Sequence, residues 1–369
     1  MNIIIRLRRL SPFRIIILSF LCLILCGTGL LMLPWATANG EGASFSDALF
    51  TSVSASCVTG LTTVDTAAYW TLFGQLVILA MIQVGGFGVI TVAVSLAALS
   101  GQRIGLMQRS LSKDAVSAPQ LGGIVPFLYF ILRLTFFIEF LGALFLAPSF
   151  CQKVGLLRGI YFAVFHSISS FCNAGFDLFG NSLMDFVGDP IVNVTVMLLI
   201  IAGGLGFTTW ADIRLNRGNF HAYPLQSKIA LTMTAALILI PGLFFFFFEL
   251  DPSTSLSEHF LISFFQSVTT RTAGYNTIDI KDFSETGRAA LIALMLIGGS
   301  PGSTAGGIKT TTAFTLFAIM IATFRLKKDP TCFSRRLSSE TQRHAVTILM
   351  MYLLLFASGS VLLNLIDGI

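Results

Sequence analysis

The fold of this chain is decided by the stretch Phe50-Thr51-Ser52-Val53-Ser54-Ala55-Ser56-Cys57-Val58-Thr59-Gly60-Leu61, which recurs twice along the sequence. The second copy, Phe165-His166-Ser167-Ile168-Ser169-Ser170-Phe171-Cys172-Asn173-Ala174-Gly175-Phe176, shares the pattern F-x-S-x-S-x-x-C-x-x-G. The third, Phe264-Phe265-Gln266-Ser267-Val268-Thr269-Thr270-Arg271-Thr272-Ala273-Gly274-Tyr275, keeps Phe ten residues before Gly and a hydroxyl-rich middle. These copies are internal repeats.

A second glycine landmark follows each copy at a similar distance. Gly85-Gly86-Phe87-Gly88 begins 25 residues after Gly60, Gly203-Gly204-Leu205-Gly206 begins 28 after Gly175, and Gly298-Gly299 begins 24 after Gly274. Each repeat therefore reads as a crossing, a short helix with a Gly loop, and a second crossing. Because a repeat crosses twice, successive copies enter from the same side and are parallel, unlike inverted repeats.

The composition places these repeats in a membrane. Of 369 residues, 54% are hydrophobic and 11% are charged, and the mean hydropathy is +0.83. Soluble chains carry about 25% charged residues, so an ordinary cytosolic enzyme is excluded. We predict seven crossings, at Phe13–Leu33, Leu72–Leu99, Ile124–Leu146, Ile191–Trp210, Ile229–Phe248, Ala289–Phe324 and Ala345–Ile366. A cleaved signal peptide is the alternative for the first, since Ala36-Thr37-Ala38 resembles a cleavage site.

Positive charge predicts the orientation. The segments before Ile15 and at 99–123, 211–228 and 325–344 hold 16 of the 23 Lys and Arg residues, which places them and the N-terminus in the cytoplasm. The net charge of +5 is therefore read as topology, with no nucleic-acid partner.

Three short apolar segments, Ser46–Ser56, Leu157–Phe171 and Ser257–Thr270, are too short to cross. Eleven residues of helix rise about 16 Å, half the hydrocarbon thickness. Ser46-Asp47 and Ser257-Glu258 look like helix starts, which would direct the partially negative helix ends into the membrane. Non-helical backbone at that depth must be buried or line a water-filled path. Rings of its carbonyl oxygens can replace the hydration shell of potassium. The alternative is that the small residues only pack helices closely.

Glycine and proline interrupt the sixth crossing between Gly298 and Lys309. Five Gly and one Pro prevent a continuous helix there, so the segment is expected to be a movable loop. A nucleotide-binding Walker A loop fails by one residue, because Ile308 stands where Lys is required. A kink without gating remains the alternative.

The chain resembles the Trk/Ktr/HKT superfamily of potassium transporters, and its closest match is the Ktr-type membrane subunit. The resemblance rests on Ser56–Thr62, Gln83–Gly88, Cys172–Asp177, Arg271–Asn276 and the stretch Gly298-Gly299-Ser300-Pro301-Gly302-Ser303-Thr304-Ala305-Gly306-Gly307-Ile308-Lys309-Thr310. It implies four membrane–pore-loop–membrane units around a pore, and Gly at every filter position goes with potassium preference. The implied ion-filter residues, which would hold potassium, are Val58, Thr59, Gly60, Leu61, Asn173, Ala174, Gly175, Phe176, Thr272, Ala273, Gly274 and Tyr275. The implied gate loop comprises Gly298, Gly299, Ser300, Pro301, Gly302, Ser303, Thr304, Ala305, Gly306, Gly307 and Lys309.

We therefore predict an all-α membrane protein built of tandem parallel repeats around a pseudo-fourfold pore. The repeats span residues 1–100, 123–210 and 227–325, the last with a broken second helix and the gate loop. Residues 344–369 form the first helix of an incomplete fourth repeat, which suggests a truncated sequence or a unit supplied by another chain.

The predicted function is potassium uptake across the cytoplasmic (inner) membrane, with no enzymatic activity. Alternatives are a non-conducting remnant or regulatory membrane subunit, and a sodium-selective or sodium-coupled transporter. The resemblance implies a homodimer bound to a ring of cytosolic nucleotide-binding regulatory subunits, and no cofactor in this chain.

Two charged positions within the membrane have open roles. Arg133 and Glu139 are six residues apart in the third crossing and do not face each other, so each is expected to pair with another helix or chain. Arg271, beside the third filter, either tunes the local field or braces the loop.

Overall fold

Helices make up most of the computed structural model, which describes residues 12–88, 124–249, 255–327, 329–333 and 335–367. In chain order the helices are α1 (Pro12–Leu31), α2 (Phe45–Ser56), α3 (Thr66–Tyr69), α4 (Leu72–Phe87), α5 (Ile124–Val154), α6 (Leu156–Phe171), α7 (Pro190–Gly204), α8 (Phe207–Asn216), α9 (Leu225–Phe248), α10 (Leu256–Thr269), α11 (Glu285–Met295), α12 (Thr310–Phe324) and α13 (Ser339–Asp367). Single 3-10 turns lie at Pro34–Ala36, Met184–Phe186, Phe220–Ala222 and Ile280–Asp282. A small antiparallel hairpin of β1 (Thr331–Cys332) and β2 (Arg335–Arg336) precedes α13. The all-α prediction is confirmed.

Four helices within the described ranges are long and apolar enough to cross a membrane: Arg14–Leu31, Val125–Val154, Leu225–Phe248 and Ser339–Ile366. A fifth span results if α7 and α8 are counted together, although the pair is bent by 93°. The predicted crossing at Ile191–Trp210 is therefore a bent pair, with its break at Leu205 and Gly206.

Two other predicted crossings also differ from continuous helices. The crossing at Leu72–Leu99 is helical to Phe87, and its part after Gly88 lies outside the described residues. The crossing at Ala289–Phe324 consists of the 11-residue α11 and the 15-residue α12, with the glycine-rich segment between them. Gly and Pro disfavour helix, so the break falls where the composition predicts it.

The three short helices α2, α6 and α10 begin slightly earlier than predicted. The hydroxyl oxygen of Ser44 accepts from the backbone N–H of Asp47 at 3.1 Å, and that of Ser255 accepts from Glu258 at 3.3 Å. The N-caps are therefore Ser44 and Ser255 instead of Ser46 and Ser257. Each cap places its acid in the first turn, near the partially positive helix end.

Each short helix packs against the crossings of its own repeat, α2 on α1 and α4, α6 on α5 and α7, and α10 on α9. Their inward faces are polar but buried: Ser52, Ser167 and Ser267 are fully inaccessible. The apolar side chains on the outside of the bundle, such as Phe137 and Phe140 on α5, are more than half exposed. This inversion of the soluble pattern is expected of helices surrounded by lipid.

Candidate ion-conducting site

The loops that follow α2, α6 and α10 share one backbone conformation. Two residues before each repeat glycine, a non-glycine residue has a positive φ: 56° at Val58, 59° at Asn173 and 70° at Thr272. The glycines themselves have φ of 79°, 72° and 82° at Gly60, Gly175 and Gly274. A β-branched residue in this region is a genuine outlier. Nothing in the sequence identifies Val58 as such a residue.

The structure brings the three repeat glycines together in chain order. A Cβ added to Gly60 would overlap the carbonyl oxygen of Ala174 and lie 3.3 Å from the Cα of Gly175. A Cβ added to Gly175 would in turn overlap the carbonyl oxygen of Ala273 and lie 3.4 Å from the Cα of Gly274. The loops are therefore in direct backbone contact, and only glycine permits this approach.

Gly274 differs from the other two glycines in its surroundings. Among the described residues, the only atom within 4 Å of a Cβ placed there is the Cα of Gly175, at 3.9 Å. The first and second loops each face the carbonyl of the next loop, whereas the third faces open space on its corresponding side.

Backbone hydrogen bonds hold each loop to the last turn of its short helix. Thr59 N–H donates to the Ser54 carbonyl at 2.8 Å, and Ala174 N–H donates to the Ser169 carbonyl at 2.8 Å. In the third repeat Ala273 N–H donates to Thr269 at 3.0 Å, so the closed turn is one residue shorter. The fully buried Phe265, and not the partly buried Phe264 that lies ten residues before Gly274, thus corresponds to Phe165.

In the second and third loops, the carbonyl of the last predicted filter residue accepts hydrogen bonds from side chains. The carbonyl oxygen of Phe176 accepts from the Ser169 hydroxyl at 2.9 Å and from the Tyr275 hydroxyl at 2.8 Å. The carbonyl oxygen of Tyr275 accepts from the Thr269 hydroxyl at 2.7 Å. Because a carbonyl oxygen has two lone pairs, Phe176 is saturated by protein donors. Leu61, in the first loop, has an exposed side chain.

Arg271, in the loop after α10, is buried, and its Nη2 donates to the Thr234 hydroxyl on α9 at 3.2 Å. Of the two roles left open by the sequence, this bond supplies the brace. The guanidinium also lies close to α7, because a Cβ on Gly204 would be 3.4 Å from Nη2.

The paired glycines of the second landmark have a packing reason. A Cβ on Gly85 would overlap the carbonyl oxygen of Ser56, and one on Gly203 would overlap that of Phe171. Ser56 and Phe171 are the last residues of α2 and α6. In the first two repeats, the first glycine of the pair therefore lets the second crossing touch the end of the short helix in its own repeat.

The glycine-rich segment between α11 and α12 lies against the bend between α7 and α8. Ser300 N–H donates to the Gly204 carbonyl at 2.9 Å, and Thr304 N–H donates to the Gly203 carbonyl at 3.2 Å. In the opposite direction, Phe207 N–H donates to the Gly302 carbonyl at 2.9 Å. These bonds satisfy backbone groups that the broken helices leave free.

The same segment is fastened to two of the three pore loops. The hydroxyl of Thr304 donates to the Phe171 carbonyl at 2.9 Å and accepts from Asn173 Nδ2 at 3.0 Å. Gly306 N–H donates to the Thr272 hydroxyl at 3.1 Å. The residues with positive φ, Asn173 and Thr272, are thus also the residues that contact the segment.

The two ends of the segment are joined to each other. Gly298 N–H donates to the Ile308 carbonyl at 3.1 Å, and Ile308 N–H donates to the Leu296 carbonyl at 3.0 Å. Lys309, the residue before α12, donates from Nζ to the Ala305 carbonyl at 2.6 Å. Beside the segment is a cavity of about 480 Å³, whose lining includes Val58, Gly86, Phe207 and Gly302–Gly306. The segment therefore adjoins all three repeats.

Comparison with known proteins identifies this arrangement. The profile of TrkH, described as a cation transport protein, matches residues 5–366. The chain belongs to the TrkH cation transport family. The match confirms the resemblance seen in the sequence. The family is one of ion transporters and not of enzymes.

Relatives of the TrkH family match almost the whole chain. The potassium/sodium uptake protein NtpJ of Enterococcus hirae is 38% identical over 366 residues, covering 98% of this chain and 81% of its own. The Ktr system potassium uptake protein B of Bacillus subtilis is 39% identical over 332 residues, covering 89% and 74%. The crystal structure of the potassium transporter TrkH from Vibrio parahaemolyticus superposes with a TM-score of 0.68 at 21% identity, covering 94% of this chain and 71% of that one. The TrkH comparison supports the membrane pore-repeat fold.

Proposed function

We propose that this chain takes up potassium across the cytoplasmic membrane through a pore whose selectivity filter is formed by residues 58–61, 173–176 and 272–275. The observation that carries the proposal is the backbone contact that joins Gly60, Gly175 and Gly274, each in the loop that follows a short helix. Relatives named as potassium uptake proteins support the choice of ion.

The chemistry of the loops suits a dehydrated monovalent cation. A potassium ion that sheds water needs several oxygen ligands at once, and closely spaced backbone carbonyls provide them. The partially negative ends of α2, α6 and α10 lie beside these carbonyls. We assign ion contact to the first three residues of each loop and bracing to the fourth, because the Phe176 and Tyr275 carbonyls accept bonds from side chains.

The open side of Gly274 fits the four-unit pore that the family resemblance implies. Gly60 and Gly175 each face the next loop in chain order, and a further loop would take the same place beside Gly274. We propose the repeat limits 1–100, 123–210 and 227–325 on this basis, with residues 344–369 beginning the fourth repeat.

We propose that Gly298–Lys309 is the gate of this pore. The segment is anchored to the Asn173 and Thr272 side chains directly after the short helices, where it would obstruct ions leaving the filter. The two ends of the segment are hydrogen-bonded near Leu296 and Lys309. The glycines between them allow that part of the backbone to move.

We further propose that the N-terminus and the Lys- and Arg-rich segments face the cytoplasm. The relative from Bacillus subtilis is named as a component of a Ktr system. A homodimer with a cytosolic nucleotide-binding regulatory partner follows from the family resemblance, and the partner would dock on this basic face.

Sodium transport is the second candidate, because the Enterococcus hirae relative is named for potassium and sodium. The two are separated by expressing the chain in cells that lack potassium uptake and measuring potassium and sodium entry at limiting concentrations. Potassium entry with growth rescue supports the first proposal, and sodium entry alone supports the second. Absence of both, with the chain present in the membrane, contradicts transport and favours the non-conducting alternative.

A further inference from the structure

Glu139 is a buried carboxyl group that the proposed conduction pathway does not use. It lies in the middle of α5 and is 5% exposed. Its Oε1 accepts a hydrogen bond of 2.9 Å from Gln83 Nε2 on α4, 56 residues earlier in the chain. The sequence-based expectation that Glu139 pairs with another helix is thereby confirmed.

Gln83 has an unsatisfied atom at this contact. Its Oε1 is buried and has no hydrogen-bond donor among the described residues. The ion pairs in the described part of the chain are Lys153 with Asp185 and Arg336 with Asp329, so no cation there neutralises Glu139. An unpaired carboxylate within a membrane is strongly disfavoured.

A neutral acid resolves both difficulties at once. A carboxylate only accepts hydrogen bonds, whereas a carboxylic acid has one O–H that can donate. With the proton on Glu139, the acid receives the Gln83 N–H and donates its O–H to the Gln83 Oε1. We propose that Glu139 and Gln83 form a proton-binding acid–amide pair that positions the second pore helix against the first repeat, and that ion uptake requires the protonated form.

The pair is connected directly to the pore helix. The backbone carbonyl of Glu139 accepts from the Ser167 hydroxyl on α6 at 2.6 Å, and Ser167 is fully buried. Gln83 precedes Gly85 and Gly86, and a Cβ on Gly86 would lie 2.8 Å from the Cys172 Sγ at the end of α6. Glu139 is therefore a positioning residue whose proton sets the spacing of α4 and α6, and hence of the first two pore loops.

The titratable groups around the pair are few in the part of the chain that is described. The Cys172 thiol lies at the end of α6. His166 of α6 uses Nδ1 at the Phe162 carbonyl and Nε2 at the Leu178 N–H, so both ring nitrogens are bonded to backbone groups and not to the pair. Arg133 is six residues from Glu139 on α5, about 240° around the helix. Deprotonation of the pair at alkaline pH is thus assigned to Glu139, with Cys172 as the group to control.

The effect on uptake rests on the proposed function, so the test also reads the proton directly. Infrared spectroscopy of the full-length protein should show the C=O stretch of a neutral carboxylic acid at neutral pH, lost in Glu139→Gln and retained in the control Glu41→Gln. Reconstituted potassium uptake should fall at alkaline pH in the unsubstituted chain and in Cys172→Ala. It should stay flat in Glu139→Gln, because an amide supplies a permanent N–H donor to Gln83.

Two outcomes would overturn the proposal. One is an infrared band that survives Glu139→Gln, and the other is an identical pH profile of uptake for the unsubstituted chain and Glu139→Gln. Glu139→Ala should lower uptake by about tenfold or more because it leaves Gln83 unpaired. If no variant transports potassium, the infrared band still decides the protonation state, and only the proposed function fails.

Discussion

The hydroxyl of Tyr275 donates a 2.8 Å hydrogen bond to the carbonyl of Phe176, which joins the third pore loop to the second. Tyr275 is fully buried, and the Phe176 carbonyl also accepts from Ser169 at 2.9 Å. The bond spans 99 residues and lies behind the glycines that approach each other. One phenol hydroxyl therefore contributes to the spacing of two neighbouring pore loops.

Tyr275→Phe should loosen this spacing while keeping the ring in place. The loss of one buried hydrogen bond is worth about 1 kcal/mol, or roughly fivefold in a ratio of ion permeabilities. We expect potassium preference over sodium to fall by about that factor in competitive uptake measurements. The matched control is Tyr161→Phe, which removes a 3.0 Å bond to Gln75 away from the pore loops. An equal loss of selectivity in both variants would contradict the assignment.

Substitution of the repeat glycines by serine should reduce ion selectivity in proportion to how closely each glycine is packed against its neighbours. Gly60→Ser and Gly175→Ser place a Cβ onto a neighbouring carbonyl, whereas Gly274→Ser meets, among the described residues, only a Cα at 3.9 Å. We expect all three to lower potassium preference over sodium, because each carries the strain of positive φ. The loss should be smaller for Gly274→Ser where only these three loops are present, and equal to the other two where a fourth loop lies beside Gly274, as measured by ion competition at equal membrane levels.

Gly40→Ser is the control for backbone strain alone. Gly40 has φ of 72°, the same as Gly175, but a Cβ there would meet no atom within 4 Å. This variant should lose some thermal stability and keep its ion selectivity. A selectivity change in Gly40→Ser similar to that in Gly175→Ser would show that strain, and not position, causes the effect.

The sequence predicted the features that repeat locally. Glycine offsets, hydroxyl-rich short helices and the broken sixth crossing are all consequences of residue type at fixed spacing, and the structure places them together. It did not predict the positive φ at Val58, because a valine carries no signal for that conformation. The sequence also did not predict the shorter turn before Gly274, because a Phe at either 264 or 265 satisfies the repeat pattern.

Long-range contacts were beyond the reach of local patterns. Gln83 and Glu139 are 56 residues apart, and Asn173 and Thr304 are 131 residues apart. Their pairing depends on how α4, α5 and the gate segment pack in three dimensions. The 93° bend after Gly204 also depends on a long-range contact. The Gly302 carbonyl accepts a hydrogen bond from Phe207 N–H, at the start of the helix that follows the bend.

We expect the carboxyl group of Asp47 to make an acid-sensitive contact at the start of the first short helix. Hydrogen bonds from the Ser44 and Thr63 hydroxyls, at 2.7 and 2.9 Å, lower the pKa of this carboxyl. A lowered pKa means that the stabilisation is complete above the ordinary Asp value of about 3.9 and is lost as pH falls below it. The melting temperature of the unsubstituted protein should therefore drop more than that of Asp47→Asn when the pH is lowered from about 6 to about 3.

A matched acid controls for general acid denaturation in this experiment. Glu340→Gln removes an exposed carboxyl in the first turn of α13, far along the chain from the pore loops. This variant should show the same acid-induced drop as the unsubstituted protein. The prediction is wrong if Asp47→Asn and Glu340→Gln have the same pH dependence of melting.

The side chain of Thr304 holds the gate segment against the second pore loop, so its removal should release the segment. Its hydroxyl joins the segment to the Phe171 carbonyl and the Asn173 amide, at 2.9 and 3.0 Å, and the residue is buried. Thr304→Ala removes both bonds while its backbone N–H still donates to Gly203. Two buried bonds are worth about 1 to 3 kcal/mol, so we expect the initial rate of potassium uptake to rise by roughly fivefold or more.

The increase should appear in the maximal rate and leave the concentration for half-maximal uptake unchanged, because the filter carbonyls are not altered. Thr323→Ala is the matched control, since its hydroxyl bonds only to the Ile319 carbonyl of its own helix at 2.9 Å. A rate equal to or below that of the unsubstituted chain, at equal membrane levels, would mean that Thr304 supports the pore loop and does not restrain a gate.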